Sequence, residues 1–190
     1  MGGVRSGPRF NIFLYLAGAV MNNKRPQVIL VEDNPADADL VEEALNEASV
    51  DCGLSVVRDG LKAIELIALI DADPASLCPD LLLLDLNLPK VSGEEVLSRV
   101  RLSVKCRAAK VLVISSSDTA VDRERSMRLG ANGYFHKPSN LEDFMKLGPR
   151  VRALLDCPRS HVGARDTIRS IHAGAGPSFG RMSNMMNAGK

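Results

Sequence analysis

Short aliphatic runs alternate with segments of helical period along most of the chain, from Pro26 to Asp156. This alternation is typical of a parallel sheet covered by helices on both faces. We therefore predict a doubly wound α/β domain, (βα)5, with a five-stranded parallel sheet. The predicted strands cover residues 27–33, 54–59, 80–85, 110–115 and 132–137. The predicted helices cover residues 36–49, 61–70, 92–103, 118–129 and 140–155.

Local signals mark several helix ends. Ser92 with Glu95 three residues later predicts a capping box. Gly130 is the residue type favoured just after a helix, and Pro149 predicts a bend in the last helix. The first helix is predicted to bury one apolar stripe, formed by Ala36, Leu40, Ala44, Leu45 and Ala48.

Polar side chains stand where four of the predicted strands end. The first strand ends in Glu32 and Asp33, the third in Asp85, the fourth in Ser115 and the fifth in Lys137. Ligands of open parallel sheets bind beyond the carboxyl ends of the strands. The sequence therefore predicts that these five side chains meet at one edge of the sheet and form a site.

In the stretch "LLLLDLNLPK", a predicted buried strand ends directly in the carboxylate of Asp85. A buried carboxylate costs several kcal/mol unless it is paired, hydrated or bound to a metal. Three neighbouring carboxylates repel one another unless a cation lies between them, and an all-oxygen ligand set favours Mg²⁺. Lys137 can pair with Asp85 and later with a phosphoryl oxygen. The set thus predicts a carboxylate nucleophile in a site for phosphoryl transfer.

Simpler interpretations compete with this one. Glu32 and Asp33 could belong to a turn that caps the next helix, and Ser115 could be the cap of the helix at 118–129. Tyr134 could be an ordinary half-buried strand aromatic. His136 is expected to be structural or to face solvent, because strand alternation turns it to a different face from the site residue that follows it.

Four motifs carry a resemblance to a known family: "LVEDNP", "LLLLDLNLPKVSGEEVL", "VLVISSS" and "GANGYFHKPS". In this order and with these gaps, they resemble the response-regulator receiver domain of two-component signalling over residues 26–156. The resemblance implies the flavodoxin-like form of the (βα)5 fold. The segments "VEDNPADADLVEEAL" and "DLNLPKVSGEEVL" look similar to stand-alone regulators that partner phytochrome-like histidine kinases.

The resemblance also implies a role for each site position. Asp85 would accept the phosphoryl group, and Mg²⁺ would be held by Glu32, Asp33, Asp85 and the backbone carbonyl of Asn87. The residues that bind the phosphoryl group and change conformation would be Ser115, Tyr134 and Lys137. Pro138 would follow a cis peptide bond, and the side chains of Asn87 and Ser117 would tune dephosphorylation. Ser115 replaces the commoner Thr and keeps the hydroxyl.

A phosphorylation switch is the function that these roles imply. A sensor histidine kinase, in this case of the phytochrome-like type, would donate its phosphoryl group to Asp85. The signal would pass to a downstream protein, to a phosphotransfer protein or through a homodimer, and no DNA-binding domain is expected. The expected protein is therefore a phosphoacceptor with self-catalysed phosphotransfer and autodephosphorylation, rather than an enzyme acting on other substrates.

Two other functions fit the pattern less well. A Mg²⁺-dependent phosphohydrolase of the haloacid type also places an Asp nucleophile after an apolar strand, but it needs an acidic residue at the position of Asn87. A flavodoxin-like FMN carrier needs a phosphate-cradling loop after the first strand. Glu32 and Asp33 would repel that phosphate.

Composition and charge narrow the function classes further. The chain of 190 residues has 45% hydrophobic and 25% charged residues, as expected for one globular core. Its net charge is +1, but residues 24–156 carry 17 Lys and Arg against 22 Asp and Glu, which argues against a nucleic-acid surface on the domain. Four widely spaced cysteines without a CxxC pair predict reduced, packing thiols rather than disulfides or a metal site.

The two ends differ in composition from the domain. Arg5, Arg9 and the apolar run "FNIFLYLAGAV" resemble a secretion signal, but the run is too short to span a bilayer, and Met21 begins an ordinary start. We therefore interpret residues 1–25 as an N-terminal extension outside the fold and residues 157–190 as a disordered tail. The expected location is the cytoplasm, without membrane association.

Overall fold

A computed structural model of the protein describes residues 25–157. The predicted roles of residues 1–24 and 158–190 lie outside the described residues and stay predictions, as do the predicted domain boundaries. All five strands are present and parallel, in the order β2-β1-β3-β4-β5. They are β1 Gln27–Val31, β2 Gly53–Val57, β3 Leu81–Asp85, β4 Lys110–Ser115 and β5 Gly133–His136. This confirms the predicted fold.

Helices follow every strand. They are α1 Pro35–Glu47, α2 Gly60–Ala72, α3 Gly93–Leu102, α4 Ala120–Arg128, α5 Leu141–Met145 and α6 Leu147–Asp156, with a short 3-10 helix at Cys106–Ala108 before β4. Within residues 25–157, no helix is long and apolar enough to cross a membrane.

Proline explains why the last predicted helix is divided into α5 and α6. Pro149 has no backbone N–H, and its ring would clash with the carbonyl four residues earlier, at Met145, in a continuous α-helix. The helix accordingly stops at Met145 and resumes at Leu147. The predicted bend is therefore a break, and it lies before the proline rather than at it.

The helix caps follow the local sequence. The Asn34 side chain accepts a hydrogen bond from the Ala36 N–H at 3.0 Å, and the capping box of Ser92 and Glu95 is present. Thr119 caps α4. The interpretation of Ser115 as the cap of that helix is therefore wrong.

Two apolar layers enclose the sheet. Helices α1, α5 and α6 cover one face, where the buried set includes Leu30, Leu83, Ile114, Phe135, Phe144 and Val151. Helices α2 and α3 cover the other, where it includes Val31, Leu84, Val113, Leu66, Leu97 and Val100. Strand β3 is buried along its whole length, as four consecutive leucines predict.

The buried stripe of α1 differs from the predicted one. Its buried residues are Ala38, Val41, Ala44 and Leu45. Ala36 is exposed instead. The prediction is confirmed for Ala44 and Leu45 and wrong for Ala36, and Leu40 is partly buried against the same core. Val41, one turn before Leu45, is the buried residue that the predicted stripe left out.

The prediction of four reduced thiols is wrong for two of the cysteines. Cys78 and Cys106 form a disulfide, with their Cα atoms 5.3 Å apart. The two cysteines lie 28 residues apart in sequence, but the segments before β3 and β4 meet at the amino edge of the sheet. Cys52 and Cys157 are free.

Candidate functional site

Sheet topology brings the predicted site together. Strands β1 and β3 are neighbours, and their connections leave in opposite directions, which opens a crevice at their carboxyl ends. Val31 lies opposite Leu84 in the β1–β3 ladder, so the next residues, Glu32 and Asp85, lie level with each other. Lys137 directly follows β5 at the same edge.

Lys137 is the centre of the site. Its Nζ donates hydrogen bonds to Glu32 Oε2 at 2.7 Å, Asp37 Oδ2 at 2.8 Å and Asp85 Oδ2 at 2.8 Å. An ammonium group has three N–H donors, and here each of them has a carboxylate partner. The carboxylate of Asp85 therefore meets the cation that the buried strand end requires.

Burial and hydrogen bonding shift the pKa values of Lys137 and Glu32 in opposite directions. Only 7% of the Lys137 side chain and 1% of the Glu32 side chain are exposed. Burial alone would lower the pKa of Lys137, but the hydrogen bonds to Asp37, Asp85 and Glu32 outweigh it and raise that pKa well above its usual value. Burial raises the pKa of Glu32 against the opposing hydrogen bond from Lys137. Lys137 is therefore a permanent cation at physiological pH.

Three carboxylates form a candidate metal site beside Lys137. Glu32, Asp33 and Asp85 each offer an oxygen, and these oxygens lie within 4.8 Å of one another. Asp33 is exposed whereas the other two are buried, so the cluster is open to solvent on one side. An all-oxygen set of hard donors fits a divalent cation such as Mg²⁺ or Mn²⁺.

The loop after β3 is held in place by several contacts. The Asn87 N–H donates to Asp85 Oδ1 at 3.0 Å, and the Gly93 N–H donates to the Leu86 carbonyl at 3.0 Å. Lys90 has a left-handed backbone, with φ of 68°, and its ammonium pairs with Asp59, the N-cap of α2. These contacts fix the loop whose Asn87 carbonyl was predicted to bind metal.

The predicted switch residues form a hydrogen-bonded group at the end of β4. Ser115 is fully buried, and its Oγ accepts from the Ser117 N–H at 3.1 Å. The Tyr134 hydroxyl donates to the Ser117 carbonyl at 2.8 Å, and the Arg123 guanidinium lies 5.2 Å from the centre of the Tyr134 ring. Tyr134 is buried. The Ser117 hydroxyl donates to Asp122, which ties this group to α4.

The prediction of a cis peptide bond before Pro138 is wrong. Between residues 25 and 157 every peptide bond is trans. The trans form of an X–Pro bond is favoured by about 0.5–1 kcal/mol, and only the family resemblance pointed to the cis form.

Asp37 is the site residue that sequence reasoning missed. The predicted site residues stand at the ends of strands, whereas Asp37 lies in the first turn of α1. The sequence contains a signal for it. Pro35 predicts that α1 begins shortly after the end of β1, so an acid in the first turn of α1 lies near the carboxyl edge of the sheet.

Comparison with known proteins agrees with this geometry. The family model described as "Response regulator receiver domain" matches residues 28–147. Response regulator Rcp1 of Synechocystis sp. is 36% identical over 126 residues, which are 66% of this chain and 86% of Rcp1. The probable methanogenesis regulatory protein FilR2 of Methanothrix harundinacea is 37% identical over 137 residues, covering 72% of this chain and 88% of FilR2.

Solved structures give the same result. The phosphorylated cyanobacterial phytochrome response regulator RcpA matches with a TM-score of 0.59 and 34% identity, over 69% of this chain and 94% of RcpA. The Mn²⁺-bound form of Rcp1 matches with a TM-score of 0.60 and 35% identity, over 67% of this chain and 92% of that one. The metal in that structure agrees with the acidic cluster described above. These matches disfavour the phosphohydrolase and the FMN carrier.

Proposed function

The chain belongs to the response regulator receiver family, and from that premise we propose that Asp85 is its phosphoacceptor. Receiver domains act in phosphorylation-based signalling, and histidine kinases are their partners. The single observation that carries the assignment is the hydrogen bond from the Lys137 ammonium to Asp85 Oδ2, 2.8 Å long, beside the cluster of acidic oxygens. It supports the proposal because the carboxylate proposed as the nucleophile, the cation proposed to bind a phosphoryl oxygen and the candidate metal site then lie next to one another.

The chemistry is an in-line transfer from a phosphohistidine. A carboxylate oxygen of Asp85 attacks the phosphorus, so that an O–P bond forms while the P–N bond to the donor histidine breaks. The departing imidazole takes up a proton. Lys137 redirects the N–H that binds Asp85 toward an oxygen of the transferred group, which offsets its charge.

A bound metal ion would complete the charge balance. We assign Glu32, Asp33, Asp85 and the backbone carbonyl of Asn87 as the residues that would hold it, and Mg²⁺ as the ion, because the donors are all oxygen. Mg²⁺ held there would supply positive charge to offset the carboxylates and the phosphoryl oxygens. Exposed Asp33 leaves a route for the ion and the phospho-donor to enter.

Phosphorylation would be read through the group at the end of β4. Ser115 would turn its hydroxyl from the Ser117 N–H toward the phosphoryl group, and Tyr134 would follow with a change in its packing. The dephosphorylation rate would depend on the side chains of Asn87 and Ser117, which flank this position. Each of these roles is a prediction for mutagenesis.

The partners follow from the family and from the exposed surface. A phytochrome-like kinase is the proposed donor, since a matching solved structure is that of a cyanobacterial phytochrome response regulator. Val121 and Met127 of α4 expose 68% and 46% of their surfaces, next to β5. This face would receive a downstream protein, a phosphotransfer protein or a second copy of the chain. The cytoplasmic location predicted from the sequence stays a prediction.

Acetyl phosphate provides a kinase-free test. With Mg²⁺, wild type should gain the mass of one phosphoryl group, as should Asp39→Asn, which removes an exposed carboxylate of α1. Asp85→Asn should gain none. Turnover of general phosphomonoesters without any mass gain would contradict the proposal and favour a hydrolase.

A further inference from the structure

All three N–H donors of Lys137 are engaged, but their partners are not equivalent. Glu32 and Asp85 belong to the oxygen cluster that fits a metal ion. Asp37 lies outside that cluster, on α1, with 26% of its side chain exposed. Its carboxylate nevertheless lies as close to Lys137 as that of Asp85, at 2.8 Å.

The three bonds also differ in what happens to them during phosphoryl transfer. Asp85 is the reacting group, so the N–H that it accepts must be redirected to an oxygen of the transferred phosphoryl group. Glu32 would be shared between Lys137 and the metal ion, because its oxygens can bind both cations. Asp37 is the partner that neither the reaction nor the metal would draw away from Lys137.

We propose that Asp37 is a positioning residue for phosphoryl transfer, which holds the Lys137 ammonium so that its remaining N–H points at Asp85 and at the phosphoryl group formed there. Asp37 touches none of the reacting atoms and acts through Lys137. This inference rests on the proposed phosphoacceptor role of Asp85.

A simpler role for Asp37 would be local to its helix. An acid in the first turn of a helix stabilises it through the helix dipole and the free N–H groups there. That role would affect stability but would not require contact with Lys137. The test therefore has to separate the charge on α1 from the bond to Lys137.

Asp39 provides a control for the loss of one carboxylate from α1; because it lies after the first turn, the local helix role of Asp37 is tested by the Lys137 ammonium signal instead. Asp39 lies two residues further along α1, carries the same charge and is exposed. Asp39→Ala removes the same charge from the same helix and leaves the contact with Lys137 in place. Asp37→Asn keeps an oxygen acceptor and loses the charge, whereas Asp37→Glu keeps both.

The experiment follows phosphorylation of the full chain by acetyl phosphate in Mg²⁺. A charge-assisted hydrogen bond is strong enough that Asp37→Ala should lower the maximal rate constant about fivefold to tenfold. The half-saturating concentrations of acetyl phosphate and Mg²⁺ should stay within about twofold of wild type, since Asp37 is not a ligand. Asp37→Asn should be intermediate, Asp37→Glu should recover most of the rate, and Asp39→Ala should match wild type.

A metal-free measurement provides a readout independent of activity. The ¹⁵N-detected signal of the Lys137 ammonium should be sharp in wild type and Asp39→Ala, because its three protons are held. It should broaden in Asp37→Ala and return in Asp37→Glu.

The outcomes distinguish failure of the positioning role of Asp37 from failure of the phosphoacceptor role of Asp85. If wild type accepts phosphate on Asp85 but Asp37→Ala reacts as fast as Asp39→Ala with an unchanged ammonium signal, the positioning role is wrong and the proposed function stands. If wild type accepts none, the proposed function itself fails.

Discussion

Gly93 lies so close to Asp85 that a Cβ atom built on it would fall 2.0 Å from the Asp85 carbonyl oxygen. The first residue of α3 therefore packs directly on the backbone of the strand end that carries the carboxylate. Only glycine allows this approach. Gly93, which looks in the sequence like an ordinary helix start, therefore holds the backbone of Asp85 in position.

Gly93→Ala tests this packing. We expect the substitution to lower the free energy of unfolding by about 1–3 kcal/mol, as overpacking of a rigid contact does. It should also slow phosphorylation by acetyl phosphate, because the backbone of Asp85 has to shift. Urea unfolding and the phosphorylation rate measure the two effects.

Gly53→Ala is the control for Gly93→Ala. Its Cβ would meet the end of the flexible Gln27 side chain, which can move away. If both variants lose the same stability and neither changes the phosphorylation rate, the close approach of Gly93 does not position Asp85.

Lys137 should stabilise the metal-free protein. Lys137→Ala leaves buried carboxylates without their cation, and we expect a loss of about 3–5 kcal/mol in the free energy of unfolding without metal. Saturating Mg²⁺ should return more stability to this variant than to wild type, since it replaces part of the missing positive charge. Thermal melts with and without Mg²⁺ measure both.

Lys146→Ala serves as the control for Lys137→Ala, because Lys146 pairs with Asp143 on the surface. Its stability should change little with or without Mg²⁺. Equal losses for Lys137→Ala and Lys146→Ala would show that the buried ion cluster carries no special stabilisation.

The ion pair between Lys90 and Asp59 predicts a pH dependence. The hydrogen bond from Lys90 holds the pKa of Asp59 below its usual value, so the pair stabilises the fold above the unfolded-state pKa of about 3.9. This contribution is lost as the pH falls through the lower folded-state pKa. Lys90→Ala should therefore melt below wild type at neutral pH, and the two should converge in strong acid. A difference that is unchanged at acidic pH would contradict this.

The positions of the five strands along the chain could be predicted because each short aliphatic run is a strong local signal. Four leucines before Asp85 require a strand buried on both faces, and the structure has one. Glu32, Asp85 and Lys137 could be placed together because the carboxyl ends of parallel strands share one edge. In the structure the carboxylates of Glu32 and Asp85 both accept hydrogen bonds from the Lys137 ammonium.

The features that could not be predicted from the sequence depend on contacts between distant segments. Asp37 lies in the first turn of a helix rather than at a strand end, and its partner Lys137 is 100 residues away in the sequence. The bond between Cys78 and Cys106 depends in the same way on two loops meeting at the amino edge. The trans bond before Pro138 shows a different limit, since composition does not distinguish isomers of similar energy.

The measurement that tests the central claim most directly is identification of the phosphorylated residue in the full chain. After reaction with acetyl phosphate and Mg²⁺, borohydride reduces an aspartyl phosphate to homoserine, which peptide mass spectrometry can locate. We predict homoserine at position 85 alone. Conversion at Asp33 or at another carboxylate, with Asp85 intact, would contradict it.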